Sequence, residues 1–315
     1  MDATVVIPAR DAEATLPATL AALARQDGAA DFEVVVVDDG SSDATVAIAE
    51  SAAAPAVTVL RTGGGEGPGA ARNLGAATAS GDVIVFVDAD CEPDPDWLAR
   101  LLAASRGAEL VQGAVLPPEG ARIGPFDRFL AVVSEYGLYQ TANLAIRREL
   151  FEQLGGFEPI VKPRRSKELG EDAWLAWRAR RAGARSVFAA DAVVRHAVFP
   201  RGAVGYVGEQ ARVRFFPELV ERMPELRDVF LYRRWFLSHR SARFDLALAG
   251  VAAALATRRR EPLVAAVPYA SVLWTESGNW GMRERPRVAP VHVCADVVRA
   301  AALAWGSVRS GCPVL

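Results

Sequence analysis

Lysine is almost absent from this chain: Lys162 and Lys167 are the only two among 315 residues. Arginine carries the positive charge instead, in keeping with a composition rich in alanine and arginine throughout. The 36 basic residues against 38 acidic ones leave a formal net charge of -2. That balance lacks the basic surplus that nucleic acid calls for. Cysteine is scarce as well. Cys91, Cys294 and Cys312 are odd in number and scattered, which excludes a disulfide framework and a zinc-ligand spacing and suits a reducing compartment. The first apolar run, residues 4–7, is too short for the h-region of a signal peptide. Internal repeats and low-complexity linkers are also missing. Apolar residues, by contrast, make up 51% of the chain, enough for a large core. The length suits one sizeable domain with an appended segment.

The first part alternates short apolar runs with helical patterns. Residues 4–7, 33–37, 57–60, 83–87 and 110–115 read as strands, and 15–25, 42–51, 69–79 and 95–104 as helices. Strands alternating with helices predict an α/β fold with a doubly wound, mostly parallel sheet. In such sheets ligands bind beyond the carboxyl ends of the strands, so the polar residues closing each strand are the candidates. The texture changes after about His196, first to arginine and aromatics, then from Phe244 to strongly apolar sequence. The expected division is a catalytic domain over residues 1–200 and a helical region over 201–315.

Asp38 and Asp39 close the second strand. Successive strand side chains face opposite ways, so one of the two is expected in a pocket. A helix cap would account for the same residues. Asp88 and Asp90 close the fourth strand, and their i, i+2 spacing puts both on one side of an extended chain. Paired carboxylates repel unless a cation lies near them. A hard divalent ion bridging a diphosphate answers that need, and a polar turn is the alternative. The glycine-rich stretch 63–69 reads either as a phosphate loop at a helix start or as a plain flexible loop. Glu171 and Asp172 open an amphipathic helix that ends at Gly183, where acidic residues are ordinary.

Taken together, these segments resemble glycosyltransferase family 2. The resemblance rests on Val-Val-Ile-Pro-Ala-Arg-Asp-Ala-Glu, Val-Val-Asp-Asp-Gly-Ser-Ser-Asp, Gly-Pro-Gly-Ala-Ala-Arg-Asn-Leu-Gly and Phe-Val-Asp-Ala-Asp, in that order. Thr-Ala-Asn-Leu-Ala-Ile-Arg-Arg, Leu-Gly-Gly-Phe-Glu and Gly-Glu-Asp-Ala-Trp-Leu continue it, so that it covers about Thr4 to His196. It implies a GT-A fold and an inverting transfer of sugar from a nucleotide-sugar donor, with UDP the common nucleotide. By the same resemblance Pro8, Ala9 and Arg10 line the nucleotide pocket. Asp39 binds the base, and Arg72 lies near the base or diphosphate. Asp88 and Asp90 match the Asp-x-Asp motif, Asp90 as the direct ligand of Mn2+ or Mg2+. Asp172 matches the catalytic base. His196 stands where relatives hold a histidine near the diphosphate or metal, although a lone histidine after a strand also serves structure. A carboxylate at a helix start is expected to have a lowered pKa.

The sequence departs from the processive pattern Gln-x-x-Arg-Trp. Gln210 and Arg214 have the wrong spacing and Phe215 stands in place of tryptophan, which points to transfer of a single sugar. Arg164 and Arg165, in a charged stretch before the base, are placed to meet an anionic acceptor; a solvated loop is the alternative. The apolar stretches 244–257 and 262–274 are too short to span a bilayer, and 290–308 contains Asp296 and Arg299. Arg258, Arg259 and Arg260 lie between the first two. The expectation is interfacial helices on the cytoplasmic membrane surface, with a soluble helical subdomain or a dimer interface as alternatives. The partners expected are therefore a nucleotide-sugar donor, an acceptor glycan or lipid-linked acceptor, and a membrane surface. Two other functions fit less of the sequence: a sugar nucleotidyltransferase and a catalytically silent binding protein.

Overall fold

The computed structural model describes residues 1–28, 31–52, 57–160 and 169–315. Two compact units divide them: 1–121 with 129–198, and 122–128 with 199–315.

The first unit is an α/β sheet flanked by helices. Its strands are β1 (Ala3–Ala9), β2 (Phe32–Asp38), β3 (Val57–Arg61), β4 (Val83–Val87), β5 (Cys91–Pro93), β6 (Leu110–Leu116), β7 (Asn143–Arg147) and β8 (Ser186–His196). Its helices are α1 (Leu16–Leu23), α2 (Thr45–Glu50), α3 (Pro68–Ala77), α4 (Trp97–Ser105), α5 (Arg148–Gln153) and α6 (Glu171–Arg181). The strand order is β3-β2-β1-β4-β7-β6-β8-β5. The valine-rich cores of β1, β2 and β4 are buried on both faces, as parallel strands covered by helices require. The half with β3, β2, β1 and β4 is parallel. The other half is mixed, because β7 runs antiparallel to β4 and β6, and β5 antiparallel to β8.

Two close approaches hold this sheet. A Cβ on Gly75 of α3 would lie 2.5 Å from Val6 Cγ1 and 3.0 Å from Val37 Cγ2, so only glycine lets α3 settle on β1 and β2. Asn143 is fully buried; its amide donates to the carbonyls of Ala114 and Ala192 and accepts from Trp97 Nε1, all at 2.8 Å. These bonds fill the irregularity where β6 and β8 shift register between Gly113 and Ala114, so both ends of the Asn143 amide are met in the core.

The second unit is helical. It comprises α7 (Ala203–Glu209), α8 (Phe216–Arg222), α9 (Leu226–Val229), α10 (His239–Thr257), α11 (Val267–Gly278) and α12 (Arg285–Ser310), with 3-10 turns at Gln210–Phe215 and Glu261–Ala266. α12 is long and apolar enough to cross a membrane by length and composition. It nevertheless buries Asp296, which accepts from Arg240 at 2.7 and 2.9 Å, from Tyr269 Oη at 2.6 Å and from Arg299 at 3.1 Å. Arg240 also pairs with Glu276, and Gln210 accepts from Arg299 at 2.8 Å. A buried carboxylate so fully met ties α10, α11 and α12 together, whereas loss of one partner would leave an uncompensated charge.

Candidate active site

The polar ends of the strands form three clusters in the first unit, the first of them a clamp. The clamp is Asp39. Its Oδ1 accepts from Thr62 Oγ1 at 2.6 Å and from the Glu66 amide at 2.9 Å, and its Oδ2 accepts from the Gly67 amide at 3.0 Å. Arg10 Nη1 stands 3.8 Å from Oδ2. Burial opposes the charge, but the bonds from Thr62, Gly67 and Glu66 and the Arg10 guanidinium outweigh it and hold the pKa below the usual carboxylate range. The glycine-rich stretch is thus folded around Asp39, and the anion its amides meet is this carboxylate. Glycine is required there: Gly40 has φ +81, and a Cβ on it would come 2.9 Å from Gly64 Cα. Asp38 faces elsewhere and accepts from the amides of Gly40 and Ser41 at 3.2 and 3.1 Å.

Pro8 is half-buried, Ala9 buried and Arg10 exposed at the end of β1. The loop that follows is laced to the loop after β2. Asp11 accepts from the Ser42 amide at 2.8 Å, Ser41 Oγ accepts from the Asp11 amide at 2.9 Å, and Thr45 Oγ1 accepts from the Ala12 amide at 2.7 Å. Side chains of each loop thereby satisfy amides of the other, fixing a rim around Arg10 and Asp39.

The second cluster is built on Arg72 of α3, whose side chain is 5% exposed. Its Nη2 donates to Asp88 Oδ1 at 2.7 Å, and its Nη1 lies 3.7 Å from Glu171 Oε1. One guanidinium therefore joins the Asp-x-Asp end of β4 to the first turn of α6. The next residue, Asn73, exchanges two hydrogen bonds with the backbone of Phe157, at 2.8 and 2.9 Å. Asp172 follows Glu171 and accepts from the Ala173 amide at 2.8 Å. Burial and then the neighbouring charge of Glu171 push its pKa up, which corrects the lowered value expected from its place at a helix start. The helix-end contribution is real but smaller than desolvation beside a second carboxylate. Tyr136 also feels the charge of Asp172, although burial is the main reason its pKa is raised.

The third cluster depends on strand register. β5 begins directly after Asp90 and pairs with the end of β8, Cys91 opposite His196. The Ala197 amide donates to the Asp90 carbonyl at 2.8 Å. His196 Nδ1 lies 2.7 Å from the Ala197 carbonyl, which can only accept, so Nδ1 carries the hydrogen. Nε2 then faces Asp90 Oδ2 at 3.7 Å. Two electron-rich atoms at that separation fit a cation. Asp90, Cys91 and His196 bring their ligand atoms within 4.8 Å of one another. Burial, then the charges of Asp88 and Asp90, hold the Cys91 thiol far above its usual pKa. The carboxylate and the imidazole of this group suit a hard or borderline divalent ion.

Known proteins agree with this architecture. Residues 4–155 match the model of glycosyl transferase family 2. Over 221 residues the chain is 32% identical to glycosyltransferase AglE of Haloferax volcanii, covering 65% of this chain and 70% of that protein. The chain belongs to glycosyl transferase family 2. A pre-mycofactocin glycosyltransferase of Mycobacterium tuberculosis is 30% identical over 220 residues, 62% of this chain and 42% of its own length. Among solved structures, a mannosyltransferase of Pyrobaculum calidifontis with GDP-mannose and Mn2+ superposes with a TM-score of 0.64 at 22% identity, over 95% of this chain and 86% of that one. Residues 1–349 of S. aureus TarS with UDP-GlcNAc superpose with a TM-score of 0.52 at 17% identity, over 99% and 92%. The fold is GT-A, and the activity class is glycosyl transfer, which decides against the nucleotidyltransferase alternative.

In this transferase the sequence motifs single out Asp39, Arg72, Asp88, Asp90, Asp172 and His196 one by one but do not show their pairings. The contacts of Glu171 with Arg72 and of Asn73 with Phe157 leave no trace of their own in the sequence, although both residues stand inside the motifs that carry the resemblance. Arg164 and Arg165 lie outside the described residues.

Proposed function

We propose that the chain is an inverting, metal-dependent hexosyltransferase. It moves one sugar from a nucleotide-sugar donor, a UDP-sugar by preference, to a hydroxyl or phosphate of a lipid-linked or cell-envelope acceptor. The observation that carries this reading is the Arg72 bridge, because it ties the Asp-x-Asp carboxylate Asp88 to the turn that bears Asp172. Residues 1–200 hold the donor and the chemistry, and 201–315 serve a peripheral position on the cytoplasmic face of the membrane.

In this reading Pro8, Ala9, Arg10 and Asp39 hold the nucleotide, Arg72 and Asp88 flank the diphosphate, and Asp90 with His196 would hold Mn2+ or Mg2+. The ion, when bound, offsets negative charge on the departing diphosphate. Asp172 accepts the proton of the acceptor hydroxyl as that oxygen attacks the sugar carbon from the face opposite the diphosphate. Its raised pKa suits the task, since a general base works best with a pKa near the operating pH.

A thermal-shift titration with UDP-, GDP- and dTDP-sugars, with and without Mn2+, tests the donor side. Binding to the folded state raises Tm by mass action. A metal-dependent rise with one nucleotide is expected, and Asp90→Ala should remove its metal dependence. A donor shift indifferent to metal in both proteins would overturn the metal assignment.

A further inference from the structure

We propose that α10, the 3-10 turn and α11 form an apolar prong that inserts into an anionic lipid surface. The proposal rests on the peripheral placement argued above and not on the donor chemistry. The root of the prong is anchored, with Phe244, Ala247 and Tyr269 forming a buried cluster against Leu273 and Val293. Beyond it the two arms touch at Gly250, where a Cβ would lie 2.6 Å from the Pro262 carbonyl oxygen and 2.7 Å from Ala265 Cβ. The remainder is bare. Leu255 is 75% exposed, Val264 72% and Val267 61%. Residues 246–257 and 262–275 contain no charged side chain. Exposed apolar surface of this extent marks an interaction site.

Charge selects the occupant. Arg258, Arg259 and Arg260 are all exposed at the turn between the arms, with Glu261 the one acid beside them. Guanidinium groups pair well with phosphate oxygens, and basic residues beside an apolar helix read an anionic leaflet. Self-association across the same face would instead bring two arginine triplets together in a symmetric contact. Length decides the depth. The uncharged turns of α10, residues 246–257, rise about 18 Å at helical pitch, well short of the roughly 30 Å hydrocarbon thickness. The prong therefore dips into one leaflet and does not cross.

Flotation of the full chain with vesicles tests this, using phosphatidylcholine alone and phosphatidylcholine with about a third phosphatidylglycerol, at low salt. Wild type should float with the anionic vesicles. The combined variant Arg258→Gln, Arg259→Gln, Arg260→Gln should lose about a hundredfold in that partition, as three basic side chains at such a surface imply. Leu255→Asn with Val264→Asn should abolish flotation with either vesicle. The donor-induced Tm rise is measured on the same samples and should persist in both variants. Failure of the lipid proposal is thus separable from misfolding and from failure of the donor reading. Wild type that stays with the soluble fraction, or that floats as well without the arginines, overturns the proposal. So does a wild-type dimer in light scattering that the Leu255 and Val264 variant dissolves, since the face would then belong to a second copy.

Discussion

Asp172 shows how a single residue can stand out in a sequence while its surroundings do not. Its motif and its place at the start of α6 were legible. Its partner Glu171 and its burial were not, because both depend on how α6 meets α3 and β4 through Arg72. Transfer by Asp172→Asn should fall at least about a hundredfold, the usual range for a general base, with the donor-induced Tm rise retained. Unchanged turnover would remove Asp172 from the base role. In the pH profile of kcat/KM, the acidic limb should lie above the ordinary carboxylate range, because the base acts only when deprotonated. The same shift affects stability. A carboxyl whose pKa rises on folding holds its proton more tightly when folded, so stability declines as pH climbs from its unfolded value through the raised one. Asp172→Asn should therefore melt higher than wild type at neutral pH and alike in acid, as calorimetry at the two pH values would show. His196 illustrates the complementary limit. It was recognised as a residue, but its partnership with Asp90 depends on the β5–β8 register.

Secondary-structure elements were most legible where burial is continuous. The run Val83–Val87 was read with the bounds it has, because an unbroken apolar pentad suits a strand covered on both faces. The strands β5 and β7 went unread as strands, and β8 was read only as a strand before His196, without bounds. β5 has three residues, β7 lay inside a motif quoted for its resemblance, and β8 carries Asp191 and Arg195 among its apolar residues. The antiparallel pairings of the sheet were lost with them. The glycine-rich stretch before α3 was ambiguous for a different reason, since its ligand is Asp39 from a distant strand end. Contact between α3 and the sheet is close at Gly75, where any side chain meets Val6 and Val37. Gly75→Ala should destabilise the protein by about 1–3 kcal/mol through overpacking, despite alanine's better helix propensity. A denaturation midpoint that rises instead would show that α3 can lift off the sheet freely.

Across the whole chain, composition changes after about His196; the described residues divide into an α/β unit and a helical one that also takes in 122–128. The three apolar stretches fall in α10, in the 3-10 turn with α11, and in α12. What composition could not reveal is how α12 uses its acid. Asp296 looked like an obstacle to membrane entry, and it is the centre of a hydrogen-bonded knot with Arg240, Tyr269 and Arg299. Long-range partners of this kind leave no periodic trace along the chain.

The prong also bears on reaction kinetics. An enzyme held at a lipid surface meets a lipid-linked acceptor by lateral diffusion, at an effective concentration set by tethering and not by the bulk solution. Its rate should then depend on the mole fraction of acceptor in the plane. Diluting the acceptor with inert anionic lipid, at fixed bulk acceptor concentration, should slow transfer by wild type. The same dilution should leave the Leu255→Asn, Val264→Asn protein nearly unaffected, because that enzyme would meet its acceptor in three dimensions.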